Sequence, residues 1–181
     1  MEEFDRISGG LAWPTLEAPA YFCIFGQSVK ENQFGKRPLI QVFELENIED
    51  SIDIFFKQIK KASDRLRVDL IYGNSEHNAF TEKAFSYGLI MPQKLSGMQD
   101  FNYGLEIIKA WAKAHAIETM EDSILRSQLI SLRDSELKEA PEKFNAINGL
   151  RYAVTGFDDR EDGRPLSDNS MGDFNLESIF T

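Results

Sequence analysis

The sequence of 181 residues has few of the residues and motifs that usually identify an active site. Its single cysteine, Cys23, excludes an internal disulfide and a cysteine-based zinc site. It has two histidines, His77 and His115, and it lacks the P-loop, GxGxxG and HExxH patterns. No apolar run approaches the roughly 18 residues of a membrane span, and the acidic start MEEFDRISGG lacks the apolar core of a signal peptide. These absences predict a soluble, cytoplasmic protein.

The charge is acidic and unevenly distributed. The net charge is −10, and residues 158–181 hold seven acids and two arginines, a net −5. The other 157 residues carry the remaining −5. Neither part has the basic surface of a protein that holds nucleic acid by general electrostatics. The composition therefore argues against a stand-alone DNA-binding protein, and weak or indirect DNA contact is expected.

Hydrophobic patterning predicts one α/β domain at residues 21–157. Residues 1–20 contain two glycines and two prolines without a period, which is typical of a lead-in segment. Residues 158–181 form an acidic C-terminal tail, of which we expect Phe174–Phe180 to pack on the domain or on a neighbouring chain.

Within the domain, the apolar run 21–25 predicts a strand buried on both faces, and 39–45 predicts the returning strand of a hairpin. Strands are also expected at 68–72 and 89–91. Helical spacing of apolar residues predicts five helices. Their apolar stripes or bounds are Ile48–Ala62 with a cap at Asn47, 79–87 followed by Gly88, Phe101–Ala112, Ile124–Leu132 and Phe144–Phe157. We expect a mixed sheet with strand 21–26 at its centre, antiparallel to 38–45 and parallel to 67–72.

Glu76 and His77 are the best-placed candidates for chemistry, because they follow the C-terminal end of a predicted strand, where open α/β sheets place their sites. A loop that caps the next helix is the plainer interpretation of this polar stretch. His115 is interpreted as a cation near a helix C-terminus, and Cys23 as a packed thiol. The sequence indicates no converging set of carboxylates.

The stretch Asn145–Val154, NAINGLRYAV, resembles the last helix of the nuclease domain of tailed-phage terminase large subunits, where an aspartate-containing segment runs into Ala-Leu-Arg-Tyr-Ala. Tyr21–Gln27 is similar to the first strand of that family, Leu70–Asn74 to its next catalytic strand, and Ile107–Arg133 to the helices before the last motif. The resemblance covers roughly residues 20–157 and implies an RNase H-like fold from a phage or prophage, acting in a bacterial host cell.

The resemblance also implies DNA cleavage by carboxylates that hold Mg²⁺ or Mn²⁺. The positions that match the acids of the family are neutral in this chain: Gly26 or Gln27, Gly73 or Asn74, and Asn145 or Asn148. A divalent cation loses most of its attraction when amides replace anionic ligands. We therefore expect no metal and no other cofactor at these positions.

Three hypotheses follow for the function. The leading one is a non-cleaving, RNase H-like domain linked to viral DNA packaging, which binds a motor protein or another phage protein. The second is an active Mg²⁺- or Mn²⁺-dependent endonuclease that uses Glu76 with Asp158 or Asp159. The third is an unrelated α/β protein-interaction module. No Walker motif is present for the ATPase of a packaging motor.

Overall fold

The computed structural model describes residues 3–48, 51–68, 70–73, 78–89, 91, 98–131 and 134–157. Within these ranges, five strands form one sheet with helices on both faces. The strands are β1 (Phe4–Ala12), β2 (Ala20–Ser28), β3 (Leu39–Asn47), β4 (Leu70–Gly73) and β5 (Ile117–Glu118). The helices are α1 (Ile52–Leu66), α2 (Asn78–Ser86), α3 (Met98–Lys113), α4 (Ile124–Ser131), α5 (Asp134–Glu139) and α6 (Asn145–Val154), with 3₁₀ turns at Pro141–Lys143 and Thr155–Phe157. No helix among the described residues has the length and apolar character needed to span a membrane.

The sheet is mixed, as predicted, with the order β4-β1-β2-β3-β5. The central strand β2 is antiparallel to β3, as expected, and also antiparallel to β1. The predicted parallel pairing of 21–26 with 67–72 is wrong, because β1 lies between them and pairs in parallel with β4. Residues 4–12 were expected to be part of a lead-in segment without regular structure. Gly9 and Gly10 hide the strand pattern there, since β1 has no side chain at two of its buried positions.

The sheet separates two apolar cores. Alternate side chains of β2 point to opposite faces, so Phe22 and Ile24 pack with α1, whereas Tyr21, Cys23 and Phe25 pack with α3, α4 and α6. All nine residues of β2 are buried, which confirms the predicted strand buried on both faces.

Several predicted boundaries shift. Helix α1 begins at Ile52 with Ser51 as its cap, and not at Asn47, because β3 continues through Asn47 and leaves Ile48 72% exposed. Leu89 and Met91 lie in no strand, and Ile90 is outside the described residues. Gly88 has the predicted C-terminal role after α2, with a positive φ of 73°. The two-residue strand β5 is too short to produce a pattern in the sequence.

Candidate functional site

Three chain segments meet at one edge of the sheet. Because β1 and β4 are parallel, their C-terminal ends lie side by side, with Leu11 aligned with Gly73. The first residue of α6, Asn145, reaches the same edge, where its amide nitrogen donates to the carbonyl oxygens of Trp13 (2.9 Å) and Pro19 (2.6 Å). We call this region, formed by residues 11–13, Gly73 and Asn145, the β1/β4 edge. Two of the positions that the sequence indicated, Gly73 and Asn145, thus lie at the same end of β1, one beside Leu11 and the other hydrogen-bonded to Trp13.

Asn145 acts as a buried hydrogen-bond donor. Its side-chain nitrogen also lies 3.4 Å from the carbonyl oxygen of Ala18, so that it faces three backbone carbonyls, and the residue is only 4% exposed. An ionised carboxylate has no proton to donate. The environment of Asn145 therefore suits an amide and disfavours an aspartate.

Asn148 lies about one turn further along α6, and its side chain also donates to a backbone carbonyl. Its side-chain nitrogen donates to the carbonyl oxygen of Pro141 at 2.7 Å, which fixes the 3₁₀ turn at Pro141–Lys143 against α6. Asn148 is 9% exposed. Both asparagines of α6 thus hold backbone segments in place.

Gly26 and Gln27 do not join the other candidates. Gly26 is aligned with Ile7, four residues along β1 from Leu11, which is about 13 Å at the usual rise of a strand. The C-terminal end of β2 lies at the opposite edge of the sheet because β2 is antiparallel to β1. A Cβ on Gly26 would overlap the ring of Phe4. Gln27 is buried and accepts a long hydrogen bond from Arg37 (3.5 Å).

No protein-family model matches this sequence, and no curated protein matches it significantly. Solved structures do match it. The nuclease domain of the large terminase of bacteriophage SPP1, with bound Mn, has a TM-score of 0.62 at 16% identity and covers 86% of this chain and 89% of its own. The large terminase of a thermophilic bacteriophage gives 0.61 at 11% identity, and the large terminase nuclease of the thermophilic phage G20c gives 0.61 at 7%. The fold is RNase H-like.

The matches agree with the resemblance found in the sequence, and at these low identities they establish the fold. The G20c match covers 83% of this chain and 81% of the other. The match at 11% identity covers 86% of this chain but 41% of that large terminase, so the chain spans about two fifths of its length. The comparison therefore concerns the nuclease-domain fold.

In this RNase H-like fold, α6 crosses β1 at very close range. A Cβ on Gly10 would overlap the carbonyl oxygen of Gly149, and one on Gly149 would overlap the ring of Tyr21. The helix backbone therefore rests on the strand backbone. Gly10 is not among the positions that the sequence indicated, although the paired glycines at 9 and 10 are the signal for such a contact.

The C-terminal end of α6 lies at the opposite end of β4 from the β1/β4 edge. A Cβ on Gly156 would overlap the hydroxyl of Ser8, which is aligned with Leu70 at the first residue of β4. The described chain ends one residue later, at Phe157. The remaining candidates lie outside the described residues: Asn74, Glu76, His77, Asp158 and Asp159.

A second polar cluster lies on the α6 face of the RNase H-like sheet. Glu44 accepts hydrogen bonds from the hydroxyl of Tyr21 (2.7 Å), from the side-chain amide of Gln41 (3.1 Å) and from the backbone N–H of Ile124 (2.9 Å). Ile124 is the first residue of α4, so the carboxylate neutralises the positive end of that helix. Burial, followed by the charge of Glu44, raises the pKa of the Cys23 thiol, which makes Cys23 a poor nucleophile.

His115 lies just beyond α3 with a φ of 47°, and its ring stacks on Phe34 at 5.1 Å between centroids. Among the described residues, no three His, Cys, Asp or Glu side chains converge in a way that would hold a metal ion.

Proposed function

We propose that this chain is a terminase-type nuclease-like domain that serves viral DNA packaging through binding and does not cleave DNA. The observation that carries the proposal is the chemistry of Asn145. Its amide donates towards three backbone carbonyls at the β1/β4 edge, and the resemblance implies an aspartate ligand at this position or at Asn148.

Cleavage of DNA by a metal nuclease requires anionic ligands that hold cations near the attacking water and the leaving oxygen. The matching positions among the described residues provide none. Gly73 has no side chain, and the side-chain nitrogens of Asn145 and Asn148 are committed to backbone carbonyls. These residues do not fit Mg²⁺ or Mn²⁺, both of which prefer carboxylate oxygens.

The net charge supports a role in protein binding. A chain with a net charge of −10 has little general attraction for the DNA backbone, so we expect DNA contact to be weak or supplied by a partner. The partner class that we propose is another phage protein of a packaging assembly, because the similar folds belong to large terminases.

The direct test is plasmid cleavage by the purified full-length chain. We expect supercoiled plasmid to remain intact at millimolar Mn²⁺, because the neutral edge does not hold the cation. The same assay is run on Glu76→Ala and on a matched control, Glu121→Ala, which removes an exposed carboxylate from a turn before α4.

Nicking that is lost in Glu76→Ala and kept in Glu121→Ala would overturn the proposal in favour of the active nuclease. Nicking that is equal in all three proteins and persists through repurification would also overturn the proposal, whereas nicking that is lost on repurification would come from a contaminating nuclease.

A further inference from the structure

Helix α1 carries a row of cations on its exposed side. Lys57, Lys61 and Arg65 follow one another at intervals of four residues, which places them along one face of the helix. All three are exposed. The face lies on the side of the sheet opposite α6, because α1 packs on Phe22 and Ile24. We call these three residues the α1 cation row.

The two acids of α1 itself, within the described residues, are paired with cations outside the row. Asp64 pairs with Lys60, and Asp53 pairs with Lys83 of α2 and accepts a hydrogen bond from Tyr87. Within the described part of the chain, no ion pair reaches the three members of the row. Asp53 also attracts Lys57, but helix α1 has four cations and two acids, so in a protein with a net charge of −10 it keeps a net positive charge.

An exposed apolar side chain lies on the same helix face. Ile54 precedes Lys57 by three positions and is 43% exposed. A ligand for this surface should therefore combine negative charge with apolar side chains.

The sequence of the C-terminal tail has that composition. Residues 166–181 contain three acids and no lysine or arginine, and six large apolar residues are interspersed among the acids. The acids are Asp168, Asp173 and Glu177, and the apolar residues are Leu166, Met171, Phe174, Leu176, Ile179 and Phe180. The three acids match the three cations of the row in number.

The tail is long enough to reach α1. The described chain ends at Phe157, and 24 residues follow, which span up to about 80 Å when extended. A domain of about 157 residues has a radius of gyration of about 15 Å. The segment can therefore pass from the α6 side of the sheet to the α1 side.

We propose that residues 166–181 of the same chain dock on α1, with their acids on the α1 cation row and their apolar side chains against Ile54. The contact covers the positive face of the domain and keeps it from other polyanions. This inference does not depend on the proposed role in DNA packaging.

Paramagnetic broadening in the full-length chain tests the proposal. A nitroxide is attached through Ser178→Cys, and Cys23 does not react because it is fully buried. We expect the amide signals of α1 to lose intensity at low salt. At 1 M NaCl, where the screening length falls to about 3 Å, we expect the intensity to return.

The charges are then removed from each side in turn. The triple variant Lys57→Gln, Lys61→Gln, Arg65→Gln and the tail variant Asp168→Asn, Asp173→Asn, Glu177→Gln should each abolish the broadening. The tail variant leaves the folded domain untouched, so it remains informative if the α1 variant is unstable. The matched control, Lys30→Gln with Lys36→Gln, removes two exposed cations from the β2–β3 loop and should leave the broadening in place.

Three outcomes would overturn the proposal. The first is an α1 that keeps full intensity at low salt in the labelled chain. The second is broadening that appears equally in a mixture of isotope-labelled wild-type chain and nitroxide-labelled unenriched chain, which would make the occupant a second copy. The third is an α1 unaffected by the tail label whose signals shift on addition of a short DNA duplex, which would assign the surface to nucleic acid.

Discussion

The hydrogen-bonding groups around Asn145 determine which side chain fits there more strongly than side-chain volume does. Aspartate has nearly the same shape, but the three carbonyl oxygens of Trp13, Ala18 and Pro19 around the side-chain nitrogen accept protons and donate none. An ionised carboxylate there would bury a negative charge against three partial negative charges without a compensating donor. The surroundings of position 145 therefore fit a structural asparagine and do not fit an anionic metal ligand.

We expect Asn145→Asp to lower the free energy of unfolding by about 2 kcal/mol at pH 7, because it replaces a satisfied buried donor with an unsatisfied acceptor. Urea denaturation measures the loss. The loss should shrink towards pH 4, since a protonated carboxyl regains one donor. Asn102→Asp, at an exposed position of α3, is the control and should change stability little. A variant at position 145 as stable as the wild type would contradict the donor role.

At the scale of single elements, helix α4 depends on contacts made by other elements. It has eight residues, too few for an isolated helix to be stable in water. Its first N–H groups donate to Glu44 of β3, and the hydroxyl of Ser123 accepts the N–H of Arg126 at 2.9 Å. The same carboxylate accepts the hydroxyl of Tyr21, so one side chain joins β2, β3 and α4.

The Tyr21 cluster predicts loss of stability in alkali. Burial raises the pKa of Tyr21 above its ordinary value of 10.0 and that of Cys23 above 9.0. Both folded pKa values lie above the unfolded ones, so this stability is present below about pH 9 and is lost as the pH rises further. Each group contributes up to about 1.4 kcal/mol per pH unit.

Thermal melts between pH 8 and 11 measure this loss. Tyr21→Phe should unfold slightly more easily at pH 7, where it lacks the hydrogen bond to Glu44, and should show a shallower alkaline slope. Cys23→Ala should also reduce the slope. Tyr103→Phe, outside this cluster, should keep the wild-type slope, and equal slopes in all variants would show that the cluster does not titrate with unfolding.

The elements that could be predicted from the sequence are those whose own residues show a strong hydrophobic pattern. The buried run of β2 and the apolar stripes of α1, α3 and α6 are local signals, and each corresponds to an element of the structure. β1 and β5 have no such pattern and form through pairing with neighbouring strands. β1 contains two glycines, and β5 has only two residues, which pair with Leu39 and Ile40. At the site, the resemblance located Asn145, but its carbonyl partners lie 126 to 132 residues away and leave no local trace.

At the scale of the whole molecule, β1 is the strand that connects the two halves of the sheet. It pairs with β2 on one side and β4 on the other, and α6 rests on it at Gly10. No other described strand pairs with β4. The N-terminal residues are thus part of the core.

We expect removal of residues 1–12 to abolish cooperative unfolding, because β4 would lose its partner and α6 its contact surface. Calorimetry and far-UV circular dichroism of the shortened chain measure this. A chain that lacks only residues 1 and 2 is the control and should melt like the wild type. A cooperative transition in a chain that begins at Trp13 would show that β1 is dispensable.

The contact of α6 with β1 also has a consequence for biosynthesis. A ribosome makes β1 and β2 early, whereas α6, which covers Tyr21 and Cys23 on one face of the sheet, is made more than a hundred residues later. Until α3 begins at Met98, this apolar face of the nascent sheet has no helix to cover it, and α3 and α4 cover only part of it before α6 is made. The growing chain should therefore be a substrate for ribosome-associated chaperones, and its release from them should follow the emergence of α6.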